Sequence, residues 1–111
     1  MAGTYQVIIT EPAQKDLEEI INYIGVEKGS IQGAENTERA ILEAIDALAK
    51  MPDRHGRVKE VKDRKDIIYR RVIVNKKYRV MYKVEEVDDE VYVVRILHVR
   101  RGPNFVRNAL K

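Results

Sequence analysis

The sequence predicts an α+β fold in which an N-terminal strand, an α-helical hairpin and a three-stranded antiparallel meander follow one another. Apolar residues recur at steps of three and four between residues 11 and 52, and they alternate with period two after residue 53. We therefore expect the helices to pack on one face of a twisted antiparallel sheet. At 111 residues the chain is expected to form a single domain, residues 1–111.

The first half of the chain predicts one strand and two helices. Residues 5–10 are rich in β-branched and aromatic side chains, which favours a strand. Thr10 can cap a helix, and proline at position 12 is tolerated in its first turn, so a helix is expected to begin there. Its apolar stripe ends at Gly25. A second helix follows a turn at residues 28–30 and must end before Pro52.

The second half predicts strands at residues 67–74, 77–84 and 90–99. Asn75 and Lys76 fit a two-residue hairpin turn, because asparagine tolerates a positive φ, and residues 87–89 fit a slightly longer connection. These short connections predict a meander.

The alternation within the strands predicts which side chains face the helices. In the middle strand the inward set is Tyr78, Val80, Tyr82 and Val84. Arg79 then points to the opposite, open face of the sheet. In the last strand we favour Val94 and Ile96 inside, which leaves Arg95 on the same open face as Arg79.

Charge is distributed unevenly along the chain. Residues 1–53 carry four Lys/Arg and ten Asp/Glu, residues 54–83 carry twelve and three, and residues 84–111 carry five of each. Buried unpaired cations are costly, so the basic block is expected on the solvent side of the sheet. Such a surface attracts polyanions, nucleic acids first and also acidic proteins.

The composition bears on several further classes of protein. The absence of cysteine removes disulfides and thiolate chemistry, and two histidines make a zinc site improbable, so neither a metal nor a cofactor is predicted. Residues 1–3 lead directly into a strand pattern without a leader or an apolar run long enough for a membrane. A cytoplasmic protein is expected. The chain after about residue 102 is predicted to be a flexible tail.

Four sequence motifs, in this order, resemble the RelE/ParE superfamily of type II toxin-antitoxin toxins. They are Ala13-x-x-Asp16-Leu17-x-x-Ile20, then Pro52 followed by Gly56-Arg57, then Tyr78-Arg79-Val80-Met81-Tyr82, and finally Ile96-Leu97-His98-Val99-Arg100-Arg101. The resemblance covers nearly the whole chain. It implies a helical hairpin on a twisted sheet, with the functional surface on the face that the helices leave open.

The superfamily resemblance implies a toxin held inactive by an acidic antitoxin encoded next to it, in a toxin-antitoxin hetero-oligomer. RelE-like members cleave messenger RNA on the ribosome without a metal, and ParE-like members poison DNA gyrase. Ribosome-dependent cleavage is the first interpretation and gyrase inhibition by binding is the alternative. A third hypothesis is a degenerate member that is no longer toxic and retains only antitoxin binding.

The resemblance also implies candidate site residues. Arg79 occupies the position of the arginine in the family's Tyr-Arg-x-x-Tyr strand, and Arg101 aligns with the arginine just after the last strand; both suit contact with phosphate. Lys59 and Lys62 lie where RelE-like toxins carry lysines. The residues expected to contact nucleic acid or a partner are Lys59, Lys62, Arg71, Arg95, Arg100 and Phe105. Residue chemistry alone also fits a second interpretation, in which Arg79 and Arg101 are ordinary exposed cations without a functional role.

The C-terminal region departs from the RelE-like pattern, because no tyrosine follows Tyr92. Phe105 could stack on a base but has no proton to exchange, and Arg107 is a poor base at neutral pH. His98 is the remaining late candidate for acid-base catalysis, although its expected inward direction argues against that role. This departure favours a ParE-like or otherwise altered target.

Overall fold

The computed structural model describes residues 4–111, so residues 1–3 of the predicted domain, on which the expectation of no leader rests, lie outside it. The fold is the predicted α+β architecture. Its helices are α1 (Glu11–Asn22), α2 (Ile31–Asp46) and α3 (Pro103–Ala109), and its strands are β1 (Gln6–Ile9), β2 (Arg70–Val74), β3 (Tyr78–Glu85) and β4 (Glu90–His98). Within this range no helix combines the length and apolar character needed to span a bilayer.

The strands form one sheet in the order β1-β4-β3-β2. β2, β3 and β4 make the predicted antiparallel meander, and β1 pairs in parallel with β4 at the edge. The β2–β3 turn has positive φ at both Asn75 (54°) and Lys76 (61°), the geometry of a two-residue hairpin turn.

The helical hairpin begins and ends close to the predicted positions. Thr10 does not cap α1; its hydroxyl donates to the Val93 carbonyl at 2.8 Å and ties the start of the helix to β4. After α1 the chain makes one π-helical turn, Tyr23–Glu27. Ser30 caps α2, because its hydroxyl oxygen accepts the Gly33 N–H at 2.9 Å.

The main core lies between the helical hairpin and the sheet. Its largest buried side chain is Tyr82, whose hydroxyl donates to the Pro52 carbonyl at 2.6 Å. The other fully buried members include Ala13, Ile41, Ile45, Leu48, Val80, Val91, Val93 and Ile96. Burial of this apolar area is the main stabilising contribution to the fold.

The opposite face of the sheet, which we call the far face, is covered by the chain itself. Residues 57–69 and α3 pack there around a second core cluster of Val58, Val61, Tyr69, Met81, Leu97, Val106 and Leu110. The prediction of a bare face was therefore wrong. The predicted flexible tail after residue 102 is also corrected, since Val106 is fully buried and Leu110 is 2% exposed. Met81 and Leu97 supply the apolar surface that holds α3.

A β-bulge in β4 changes which side chains face the helices. Tyr82 pairs with Val93 and Met81 with Arg95, so Val94 is the extra residue without a partner on β3. Ile96 lies in the main core as predicted, but Val94 packs against the second core cluster. A strict period of two cannot hold through a bulge, which explains this error.

Candidate functional site

A cationic cleft opens between the helical hairpin and the end of β4, and we refer to it as the cleft. Residues from α1, the π-helical turn, the β2–β3 turn and the segment after β4 form its walls. The members that define its chemistry are Tyr23, Lys28, Lys77, His98, Arg101 and Phe105. Its acidic members are Asp16 and Glu19, and Asp16 is paired with Arg95. The cleft therefore offers cations and aromatic rings to an anionic partner.

Arg101 and Phe105 form an exposed pair at the cleft. The Arg101 guanidinium carbon lies 4.3 Å from the centroid of the Phe105 ring, a cation-π distance. Gly102 and Pro103 start α3, and that start places Phe105 within the first turn beside Arg101. Phe105 is 42% exposed. The pair can therefore offer a phosphate contact and a flat apolar surface side by side.

His98 is held by two contacts at the end of β4. Its Nδ1 accepts the Arg100 backbone N–H at 3.1 Å, and its ring packs edge-on against Tyr78 with 5.6 Å between centroids. It is half-buried and lines the cleft. Only Nε2 is free of a contact within residues 4–111, so the ring can offer one nitrogen to a ligand.

Arg95 contacts the first helix instead of lying free on the far face. Its Nε and Nη2 donate to the two carboxylate oxygens of Asp16 at 2.7 and 2.9 Å. The Asp16 carboxylate also accepts the Ile96 N–H at 2.9 Å. Asp16, part of the first-helix motif, thus joins α1 to the strand just after the bulge. Both side chains therefore stabilise the fold, and the ion pair that they form is part of the cleft wall.

Arg79 is buried, which corrects the expectation that it points to an open face. The residue is 8% exposed, and its Nη1 donates to both carboxylate oxygens of Glu60 at 3.1 Å. Within residues 4–111 its Nε and Nη2 are buried without a hydrogen-bond partner. The second core cluster surrounds this ion pair because α3 and residues 57–69 cover the far face. A nucleic acid cannot reach Arg79 in this conformation.

The other predicted residues divide between two regions. The cleft brings together Arg95, His98, Arg100, Arg101 and Phe105. The residues that lie elsewhere are Lys59, Lys62, Arg71 and Arg79. Lys59 and Lys62 are exposed around a short 3₁₀ turn, and Arg71 is partly exposed on β2. The predicted set is therefore not a single site, since it divides among the cleft, the 3₁₀ turn, β2 and one buried residue.

Sequence reasoning missed the helical side of the cleft. Tyr23 is 53% exposed, and the Lys28 ammonium lies 5.9 Å from the centroid of its ring. The available signal was the position of Tyr23, since it falls off the apolar stripe of the first helix, where a buried aromatic would not be expected. Lys76 was predicted only as a turn residue and Lys77 only as the start of a strand, and both line the cleft.

Acidification is expected to weaken the Glu60–Arg79 pair. Burial raises the pKa of Glu60, but hydrogen bonds from Arg79 and the backbone outweigh it and hold that pKa below its ordinary value. Because the Glu60 pKa is lower in the folded chain than in the unfolded chain, the carboxylate stabilises the fold at pH values above the unfolded pKa of about 4.3. This stabilisation is lost as the pH falls through the folded pKa. Urea unfolding between pH 7 and pH 3 measures the free energy of unfolding of the native chain and of Glu60→Gln. We expect the difference between these two free energies to become smaller below about pH 4. A difference that stays constant with pH would contradict the lowered pKa of Glu60. The control is Glu18→Gln, at an exposed position of α1.

The comparisons with known proteins agree with this fold. The model of the ParE toxin of the type II toxin-antitoxin system parDE matches residues 7–103. Among curated proteins, no sequence matches the chain.

Solved toxin-antitoxin structures show the same fold at low sequence identity. The chromosomal ParDE system of P. aeruginosa is 19% identical with a TM-score of 0.69, covering 87% of this chain and 98% of that one. The RelBE2 complex of Mycobacterium tuberculosis is 20% identical with a TM-score of 0.59, covering 91% and 98%. The RelE-RelB complex of Pyrococcus horikoshii OT3 is 19% identical with a TM-score of 0.55, covering 89% and 99%. Since the family model matches nearly the whole chain, from the first strand to the start of the last helix, the chain belongs to the ParE toxin family of type II toxin-antitoxin systems.

Proposed function

We propose that this toxin arrests growth by binding DNA gyrase, without cleaving RNA itself. The burial of Arg79 and its pairing with Glu60 carry this proposal. Arg79 was the leading catalytic candidate, and a guanidinium that is buried and paired with Glu60 is not available to a scissile phosphate. The match to the ParE model supports the same choice.

The cleft offers only part of the set of groups that RNA cleavage requires. Attack by a ribose 2′-hydroxyl needs a base, cations facing the phosphate and an acid for the leaving oxygen. Arg100 and Arg101 could supply the cations. His98 is the one histidine that lines the cleft, and its Nδ1 already accepts the Arg100 backbone N–H. His98 offers only one ring nitrogen, and the sequence has no tyrosine after Tyr92 that could act as a second acid-base group. This composition favours a binding role over catalysis.

The cleft has the composition of a protein-binding surface. Aromatic side chains and arginines are the residues that most often dominate binding energy at interfaces, and Arg101 and Phe105 provide one of each. Excess positive charge speeds association with acidic partners. The structural neighbours are toxin-antitoxin complexes, so we further propose an acidic antitoxin as the partner that holds this toxin inactive. A cytoplasmic location follows from a gyrase target.

The test is controlled expression of the untagged chain without antitoxin, together with supercoiling assays on purified gyrase. Binding to gyrase predicts growth arrest, induction of the DNA-damage response and intact messages. Arg79→Met, which keeps the buried volume, should retain the arrest, because Arg79 performs no chemistry in this proposal. Arg101→Ala should weaken gyrase inhibition at least 10-fold, or about 1.4 kcal/mol. Lys15→Ala, on the exposed side of α1, is the matched control.

Ribosome-dependent messenger cleavage is the second candidate, favoured by the grouping of His98, Arg101 and Phe105 in one cleft. Rapid loss of translation with cleaved messages, abolished by Arg79→Met in a chain that still folds, would replace the gyrase proposal with this one. Unaffected growth on expression of the native chain would instead leave the non-toxic, antitoxin-binding hypothesis.

A further inference from the structure

Four arginines meet where the chain enters the edge strand β2, at Arg54, Arg57, Arg70 and Arg71, and we call them the arginine cluster. Backbone contacts link three of them: Arg57 forms an antiparallel bridge with Arg70, and the Arg71 N–H donates to the Gly56 carbonyl at 3.0 Å. Arg54 immediately precedes His55, whose carbonyl accepts a hydrogen bond from Arg70. The cluster lies at the start of β2, whereas the cleft lies beyond its end. Neither the family match nor the cleft accounts for it.

The positive charge of the cluster is largely uncompensated. Within residues 4–111 its one ion pair joins Arg70 Nε to Asp53 at 3.8 Å, while Arg70 Nη1 donates to the His55 carbonyl at 2.8 Å. Arg54 is exposed, and Arg57 and Arg71 are partly exposed. The pKa of His55 lies below its ordinary value, first because of burial and then because Arg54, Arg71 and Arg70 repel a proton. The cluster therefore has a positive local field.

Gly56 lies directly against the Arg71 guanidinium. A Cβ at position 56 would lie 2.9 Å from Arg71 Nη1 and 3.2 Å from its guanidinium carbon, closer than van der Waals contact allows. The missing side chain thus leaves room for Arg71 beside the turn. The Gly56-Arg57 motif lies within the cluster, since the Gly56 carbonyl accepts the Arg71 N–H and Arg57 adds a further cation.

We propose that the arginine cluster binds the phosphate backbone of duplex DNA. Guanidinium groups contact phosphate oxygens through two parallel hydrogen bonds, and several on one surface can follow successive phosphates. An added peptide strand is less suited to this edge, since the outward N–H of Arg71 and the outward carbonyl of Tyr69 already pair with residues 56 and 58. The choice of duplex DNA over RNA rests on the proposed gyrase target, which acts on duplex DNA.

The experiment is fluorescence anisotropy of the full refolded chain with a labelled duplex of about 30 base pairs, repeated across salt concentrations. Each phosphate contact contributes about 0.9 to the slope of log affinity against log salt. The triple variant Arg54→Gln/Arg57→Gln/Arg71→Gln should therefore lose about 2.7 from that slope and bind at least 10-fold more weakly. Arg70 is retained because it supports the His55 turn.

The matched control removes three exposed cations elsewhere, Lys15→Gln/Arg39→Gln/Lys50→Gln, with the same change in net charge. The control should keep the native slope. An equal loss of slope in both triple variants would mean that net charge alone acts, and it would overturn the proposal. Should the cluster variant fail to fold, Arg54→Gln alone, at an exposed position, is expected to lower the slope by about 0.9, and an unchanged slope would overturn it.

Two further readouts separate this inference from the proposed function. Tighter binding of a single-stranded RNA than of the duplex, at the same salt concentration, overturns the choice of DNA. If the native chain binds duplex DNA through the arginine cluster but does not inhibit gyrase, the DNA-binding inference is supported and the gyrase proposal is refuted. If the chain inhibits gyrase but the cluster variant binds DNA as tightly as the native chain, the gyrase proposal is supported and the DNA-binding inference is refuted.

Discussion

Replacing Asp16 with alanine is expected to lower the free energy of unfolding by about 3 kcal/mol. The carboxylate is 8% exposed and holds the Arg95 guanidinium and the Ile96 N–H at the same time. Its removal leaves a partly buried cation without its counter-charge and a buried N–H without an acceptor. Equilibrium urea unfolding of the purified chain, followed by circular dichroism, measures the loss.

A double-mutant cycle tests the source of that loss. Arg95→Ala alone should cost less, because the Arg95 side chain is 24% exposed and the remaining Asp16 keeps its bond to Ile96. The double variant should cost clearly less than the sum of the single changes, by about 1 kcal/mol or more. Glu18→Ala, exposed on the same helix, should change stability by less than about 0.5 kcal/mol. Strict additivity of Asp16 and Arg95 would refute the pairing.

Replacing Glu60 with glutamine is expected to destabilise the chain by about 3 kcal/mol at pH 7. The side chains of Arg79 and Glu60 are only 10% and 17% exposed, and two nitrogens of the Arg79 guanidinium have no hydrogen-bond partner among residues 4–111. Removing the carboxylate charge would leave a buried cation in the second core cluster. The midpoint and slope of urea unfolding give the free energy, with an unchanged slope expected.

The rescue variant is Glu60→Gln combined with Arg79→Met. Replacing a buried ion pair with uncharged or apolar groups of similar volume is often neutral, so this double variant should return to within about 1 kcal/mol of the native chain. Lys59→Gln, an exposed neighbour on the same turn, is the control. A double variant as unstable as Glu60→Gln would mean that Arg79 stabilises the fold through contacts other than this pair.

Local patterns were sufficient to predict the helical hairpin and the four strands, but not the last helix α3. The spacing of apolar residues in α1 and α2 and the break at Pro52 depend on neighbours a few positions away, so they are readable in one sequence. The turn at Asn75 and Lys76 was predicted for the same reason, and its two positive φ angles agree with it. The resemblance to the RelE/ParE superfamily, which rested on whole motifs, is confirmed by the family match.

The far face could not be predicted, because its covering comes from distant parts of the chain. Val106 and Leu110 are apolar residues in a short, charged segment, and only the fold shows that Met81 and Leu97 lie beneath them. Arg79 alternates with apolar neighbours in the way that an exposed residue would. Its partner Glu60 is 19 positions away in a segment without clear periodicity. Burial of an ion pair between such segments leaves no local pattern.

The parallel pairing of the first strand with the last has a consequence for synthesis of the toxin. β1 finds its register only against residues 90–93, so during synthesis it has no strand to pair with until β4 has left the ribosome. Pairing across such sequence separation also slows folding. Polypeptides released early from damaged messages therefore lack the closing strand. Such fragments cannot complete the four-stranded sheet.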